Sequence, residues 1–235
     1  MSTITKATAI SAAERDAAYT GARSDIVDMV PASAGKILDV GCSNGATGRA
    51  LKALNLTRSV CGIEYDAEFA RHAARDLDFV VHGDLNVLDW QSSLGERRFD
   101  CIIFADVLEH IVSPQRCLQQ AKGFLLPGGT VVVSLPNIRH VSALRSIFLQ
   151  GNFPQRDRGI FDRTHLRWFT MRDGKEMLTM SGFKVSATSQ VLRWGDVGGG
   201  RMNKLLNRLP HALTELAPIR EFFTYQFCLR AELIA

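Results

Sequence analysis

The stretch ILDVGCSNGATG, residues 37–48, runs from a short apolar segment into a turn carrying Gly41, Gly45 and Gly48. Each glycine in such a place costs about 0.5–1 kcal/mol of conformational entropy relative to alanine. The turn must therefore meet a need that larger residues do not. A glycine turn between a strand and a helix offers free backbone N–H groups and a helix N-terminus, which together cradle anions and polar ligands. Dinucleotide sites use Gly-x-Gly-x-x-Gly at such a turn. The spacing here is Asp39-x-Gly41-x-x-x-Gly45, which fails that pattern and argues against a nicotinamide-dependent dehydrogenase.

Outward from this turn, strand and helix patterns alternate. KILDVG is followed by the helical ATGRALKAL, then by the strand SVCGIEYD and the helical DAEFARHAARDL, whose Phe69, Ala73 and Leu77 fall on one face. DFVVHGDL reads as a third strand and FDCIIFAD as a fourth, apolar almost throughout, as expected of a strand covered on both sides. Ser113-Pro114 starts a helix, with serine as N-cap and proline at the first helical position; Leu118, Ala121 and Leu125 line its buried face. Pro127-Gly128-Gly129 reads as a turn and TVVVSLP as a fifth strand. Repeated βαβ units imply a parallel sheet with helices on both faces, and ligands of such sheets bind at the carboxyl ends of the strands.

Two later acids fall on the same rim. Glu64 lies 19 residues after Gly45 at the end of the second strand, where a carboxylate accepts hydrogen bonds from both hydroxyls of a ribose. Asp84, in HGDL, ends the third strand, where a carboxylate accepts from an adenine amino group. One glycine turn is a weak signal; the turn with Glu64 and Asp84 is a specific one.

Past Asn137 the rhythm breaks. A helical piece, VSALRSIFL, leads into the arginine-rich loop QGNFPQRDRGIFDRTH; a helix around MRDGKEMLTMSG, a strand GFKVSATSQVL and a last strand FFTYQFCLRAELI restore it. GDVGGG and KLLNRLPHALTEL, between the last two strands, read as a loop and an amphipathic helix interrupted at Pro210. Between Asn137 and Trp168 stand six arginines (139, 145, 156, 158, 163 and 167) against Asp157 and Asp162, a surplus of four that equals the formal net charge of the whole 235-residue chain, +4.

LDVGCSNGATG, GIEYD, HGDL, FDCIIFADVLEHIVSP, LLPGGTVVVSLPN and GIFDRTHLRWFT together resemble a class I S-adenosylmethionine-dependent methyltransferase over nearly the full length. The similarity is strongest to the branch that contains ubiquinone-pathway and glycan or natural-product O-methyltransferases. The resemblance implies an α/β, Rossmann-like fold: seven strands with helices on both faces and the last strand antiparallel beside the fifth and sixth. Residues 1–30 would form a helical cap and 31–235 the methyltransferase domain, with a substrate-side insertion at about 138–168 and a lid, packing element, dimer contact or membrane-surface helix at about 195–221. Asp39 and the N–H groups of Gly41, Cys42, Ser43 and Gly45 would hold the methionine end of the cofactor, with Tyr19 and Arg23 closing over it. Glu64 and Tyr65 would hold the ribose, Asp84 and Leu85 the adenine, and Asp106 and Val107 would lie beside the adenosine or the sulfonium. Ser43 stands where many relatives carry a third glycine, and is expected to have negative φ.

The cofactor supplies an activated methyl group, so the protein mainly orients, dries and neutralises. A hydroxyl acceptor also needs a base; His165, His110 and Asp162 are the candidates, with Glu109 beside them. Asp106, Glu109 and His110 have the ligand chemistry of a hard divalent ion, with a helix start as the bland alternative. Asn137, Arg156, Arg158, Arg163 and Arg167 are the substrate-side candidates, because arginine makes bidentate bonds to carboxylate or phosphate. The alternative is a solvated basic loop. The reading is O-methylation of a small-molecule or glycan-precursor hydroxyl. An N-methyltransferase and a non-catalytic cofactor-binding subunit stay open, and a homodimer is compatible. The net charge is too small for a dedicated nucleic-acid binder. There is no apolar run long enough for a transmembrane helix and no secretory-signal pattern. Five cysteines without a C-x-x-C pair fit reduced thiols in the cytoplasm.

Overall fold

In the computed structural model the protein is described over residues 21–195, 200–206, 208, 210–214 and 216–234. Its elements, in chain order, begin with a single helical turn, α1 (Ser24–Val27), β1 (Lys36–Val40), α2 (Ala46–Leu54), β2 (Ser59–Glu64), α3 (Ala67–Ala73) and β3 (Phe79–His82). They continue with α4 (Trp90–Leu94), β4 (Phe99–Ala105), a tight turn at Leu108–His110, α5 (Pro114–Gly123) and β5 (Leu125–Pro136). After β5 come α6 (Val141–Leu144), running on into a wide π-type turn at Arg145–Leu149, then α7 (Met171–Met180) and β6 (Phe183–Leu192). The last elements are α8 (Gly200–Leu206), α9 (His211–Thr214), α10 (Ala217–Phe223) and β7 (Thr224–Leu233).

The seven strands form one sheet in the order β3-β2-β1-β4-β5-β7-β6. β1 pairs in parallel with β2 and β4, whereas β7 runs antiparallel to β5 and β6. The chain direction reverses at β7 because β6 and β7 are joined by the short helices α8–α10 instead of a crossover back to the same edge. The central strands are buried along nearly their whole length, and their Ile37, Leu38, Ile102, Ile103, Val131, Val132 and Leu135 are fully enclosed. That is the pattern of a sheet covered on both faces.

Several local expectations are corrected. Pro127-Gly128-Gly129 is not a turn but a bulge inside β5: the register jumps from Phe99↔Leu125 to Cys101↔Thr130, with Gly128 at φ +74°. Leu125 therefore belongs to β5 rather than to the face of α5, which is lined by Cys117, Leu118 and Ala121. Ser113 occupies the N-cap of α5 but its side chain makes no capping bond, leaving Pro114 as the start signal. On α3 the core contacts come from Ala70 and Ala73, and Phe69 is only half-buried. The helical stretch near 204–216 is interrupted at Pro210 as expected, and comprises the two short pieces α8 and α9. Of the expected 1–30 cap, residues 1–20 lie outside the described part; α1 and the turn after it bury Ile26, Met29 and Val30 against the sheet.

Candidate functional site

A cavity of about 600 Å³ opens at the carboxyl ends of β1–β4. Its floor is the glycine turn. Gly41 takes φ +74° directly after β1, and a Cβ there would meet Val107 Cγ2 at 2.5 Å. Farther on, a Cβ on Gly48 would meet Leu77 Cδ2 at 2.5 Å, so this glycine lets α2 lie close on its neighbours. The backbone N–H groups of Gly41 and Cys42 donate to the Ile63 carbonyl (2.7 and 3.1 Å), which ties the turn to β2.

Ser43 departs from expectation: its φ is +48°, in the left-handed region, where an L-residue pays about 1–2 kcal/mol. The offset is visible in its backbone, whose N–H donates to Glu64 Oε2 at 2.7 Å. The other Glu64 oxygen accepts from the Asp66 N–H at 2.8 Å. Glu64 thus braces the turn from β2 while it lines the cavity.

Asp39 is 2 % exposed and lines the cavity. Burial and the nearby Glu64 charge push its carboxyl up to about 7, with Arg23 partly opposing them. Asp84 stands two residues after β3; its Oδ1 accepts from the backbone and side-chain amides of Asn86 (both 2.9 Å). Asn86 in turn accepts the Val112 N–H at 2.9 Å, and so bridges the β3 and β4 ends. Asp84, Leu85, Asn86, Tyr65 and Phe69 all line the cavity.

Arg23, just before α1, is half-buried beside two carboxylates. It donates to Asp25 (2.8 and 2.7 Å) and to Asp106. Asp106 follows β4 with φ +56° and also accepts from Ser134 of β5 and Gln226 of β7. Ser134 and Gln226 were not among the sequence candidates. Their signal was a polar residue inside an apolar run, VVVSLP and FFTYQFCL. Tyr19 lies outside the described residues.

The candidate bases separate spatially. His110 lines the cavity together with Thr164 and Ile111. Its Nδ1 lies 3.1 Å from the Thr164 carbonyl. A hydrogen on Nδ1 satisfies that carbonyl and leaves the Nε2 lone pair open; the tautomer is assigned from this bond. His165 stands behind His110, with ring centroids 4.7 Å apart in an edge-to-face arrangement. Its Nδ1 meets the Ile160 carbonyl at 3.2 Å, and burial, then the neighbouring His110, holds its pKa below the usual histidine range. Asp162 is buried and accepts from the backbone and hydroxyl of Thr164 (2.9 and 2.6 Å). Neither His165 nor Asp162 lines the cavity.

Glu109 is fully enclosed, and neither carboxylate oxygen has a hydrogen-bond partner among the described residues. Burial, reinforced by Asp106, raises its pKa well above the usual carboxylate range. One donor atom from each of Glu109, His110 and His165 lies within 4.8 Å of the others. Two imidazoles and a carboxylate suit a divalent transition ion better than a hard one. They are the residues that would hold such an ion, whereas Asp106 is committed to Arg23, Ser134 and Gln226.

Among the substrate-side candidates, Asn137 is buried and spends its amide on the Glu221 and Thr224 carbonyls (3.1 and 2.8 Å). Arg156, Arg158, Arg163 and Arg167 are exposed and none lines the cavity. Arg163 pairs with Asp157 at 2.6 Å, and Arg167 caps the Val112 carbonyl. No described residue of 195–221 lines the cavity either.

A glycine turn after β1, acids at the ends of β1, β2 and β3 and an antiparallel β7 define a class I S-adenosylmethionine-dependent methyltransferase. The chain belongs to the family described as "Methyltransferase domain", whose profile matches residues 13–188. Among curated relatives, it is similar to the mitochondrial ubiquinone biosynthesis O-methyltransferase of Candida albicans, at 31% identity over 48% of this chain and 36% of that protein. It is also similar to the ubiquinone biosynthesis O-methyltransferase of Actinobacillus pleuropneumoniae, at 28% identity over 43% of this chain and 46% of that protein. These matches span less than half the length of either relative. Among solved structures, an S-adenosylmethionine-dependent methyltransferase from Thermotoga maritima superposes with a TM-score of 0.58 at 16% identity, over 93% of this chain and 90% of that one. Magnesium protoporphyrin IX methyltransferase of Synechocystis with bound S-adenosylhomocysteine gives 0.54 at 15% identity, over 84% of this chain and 73% of that one. Both likenesses speak to the fold.

Proposed function

We propose that the protein methylates a hydroxyl of a small molecule or glycan precursor. The observation that carries this reading is the continuity of one cavity from the Asp39–Glu64–Asp84 rim to His110. Asp39 would hold the ammonium of the cofactor's amino-acid end, Glu64 its ribose hydroxyls, and Asp84 with Leu85 its adenine. When bound, S-adenosylmethionine supplies a methyl group already activated on a cationic sulfur. His110 accepts the acceptor's hydroxyl proton on Nε2, and the Thr164 carbonyl holds its ring in that tautomer. His165 backs the His110 ring as a positioning residue. Ile111 and Leu85 exclude water from the space between. The arginines stand outside the cavity, which favours an anionic group carried beyond the methylated hydroxyl. The O-methyltransferases among the relatives agree with the choice of oxygen. Five free, buried cysteines suit a reducing compartment such as the cytoplasm.

The test is incubation with methyl-labelled S-adenosylmethionine and a fractionated metabolite and lipid extract. A labelled methyl ether supports the reading, and a labelled methyl ester would replace the hydroxyl acceptor with a carboxylate. A labelled methylamine would replace it with N-methylation, and retention of cofactor without any product would replace it with a binding module.

A further inference from the structure

We propose that the face built from residues 145–168 docks on the surface of an anionic lipid bilayer. Phe148 and Leu149 are consecutive and 77 % and 82 % exposed. They sit at the tip of a closed loop: the Ser146 hydroxyl donates to the Asn152 carbonyl (3.0 Å) and the Asn152 N–H donates back to the Ser146 carbonyl (2.9 Å). The Gln150 N–H closes the wide turn on the Arg145 carbonyl (3.2 Å). Much of the loop's backbone polarity is thus satisfied internally, which lowers the cost of burying its tip in an apolar medium.

Phe153, Leu166 and Trp168 are further exposed apolar side chains of the same segment. Phe153 packs edge-on to both the buried Phe161 and Trp168 (centroids 4.9 and 5.0 Å), and the Trp168 indole N–H donates to the Ile160 carbonyl at 3.0 Å. This is a braced shelf rather than a set of scattered side chains, and an exposed apolar patch of this kind marks an interaction site.

Charge selects the partner. The segment from 137 to 168 carries six arginines against two aspartates, and one of those, Asp162, is buried. Arg145, Arg156, Arg158, Arg163 and Arg167 are exposed on the same segment as the apolar tip. Arg145 and Arg158 have no ion pair among the described residues. An exposed apolar tip on an arginine-rich segment matches the layering of an anionic membrane surface, where tails lie beneath phosphates. The face is also stitched to the cavity mouth. The Leu166 and Arg167 N–H groups donate to the Glu109 carbonyl (2.9 and 3.2 Å), and Thr164 lines the cavity itself. Docking there would bring the mouth close to an acceptor held in the membrane. The docking does not depend on the proposed methylation and is read separately from it.

The experiment is co-sedimentation of the full chain with vesicles of phosphatidylcholine, alone or with one third phosphatidylglycerol. The variants are Phe148→Ser/Leu149→Ser and Arg145→Ala/Arg158→Ala, each checked for an unchanged melting temperature. Wild type is expected to partition onto the anionic vesicles, less at high salt and weakly onto the neutral ones. Losing the apolar pair should weaken partition at least ~10-fold, and each arginine removed should weaken it ~5-fold. Equal binding to both vesicle types, or binding unchanged in both variants, overturns the proposal. So does a dimer of the wild type, seen by sedimentation without lipid, that the apolar variant loses while vesicles capture neither protein: the face would then bind a second copy.

Discussion

Asp39→Asn should pull stability and function in opposite directions. Asp39 is enclosed beside Glu64, and its carboxyl is pushed up to about 7 from an ordinary 3.8. At 1.36 kcal/mol per tenfold in proton affinity, that interval is worth about 4 kcal/mol against the ionised folded state. A raised acid contributes stability fully below its unfolded value and loses it as pH rises through the folded one. The penalty is therefore nearly absent close to pH 4 and complete above about pH 8. Asparagine keeps the shape and removes the charge. The ligand-free variant should melt about 4–10 °C above wild type near pH 8.5, and within about 3 °C of it near pH 4.5, at roughly 2–4 °C per kcal/mol with some relaxation around the site. The same change removes the proposed partner of the cofactor's ammonium, a charge-assisted bond worth about 1.5–3 kcal/mol, so S-adenosylhomocysteine should bind about 10–150-fold more weakly. In wild type its affinity should fall as pH drops below about 7, because Asp39 must ionise to bind. Scanning calorimetry at both pH values, with titration calorimetry at neutral pH, measures all of this. A melting-temperature gain equal at both pH values, or affinity within twofold of wild type, would refute the reasoning.

Other outcomes follow from the same geometry. Gly41→Ala should abolish cofactor binding and cost about 1–3 kcal/mol of stability, since its Cβ would collide with Val107 in a left-handed backbone; chemical denaturation and titration calorimetry check both. His110→Ala should lower kcat about 100-fold or more while leaving S-adenosylhomocysteine affinity unchanged; His165→Ala, one layer behind, should lower it less and shift its pH profile. Mn²⁺ or Co²⁺ held by Glu109, His110 and His165 would commit the His110 imidazole to the ion, so these ions should inhibit while a chelator leaves turnover unchanged; initial rates with and without each decide. Glu109→Gln should stabilise the protein at alkaline pH, where a raised acid has lost its contribution, and do little at acid pH; thermal melts across pH show this.

The strands and their order along the chain were legible because buried parallel strands are near-continuous apolar runs punctuated by glycine and proline, as in FDCIIFAD. The rim acids were legible because a strand end fixes where one side chain must point. The Pro127-Gly128-Gly129 bulge was not: turn residues inside a strand look the same as turn residues between strands, and only pairing with β4 separates the two cases. The positive φ of Ser43 was hidden for a related reason. A backbone bond to Glu64, 21 residues away, offsets the strain that serine's own preference would avoid. On the acceptor side, composition misled. An arginine-rich loop suggested arginine contacts in the site, yet none of its arginines lines the cavity, and the lining groups near His110 are Thr164 and Ile111. Nothing local in DRTH distinguishes the threonine that lines the cavity from the histidine packed behind it.

The most direct trial of the cofactor grip is titration calorimetry of S-adenosylhomocysteine into wild type and Glu64→Ala, with circular dichroism to show that the variant stays folded. A clear saturable heat in wild type, reduced by at least about tenfold in affinity when the proposed ribose bonds and the brace on Ser43 are lost, is the predicted result. Indistinguishable isotherms for the two folded proteins would contradict it.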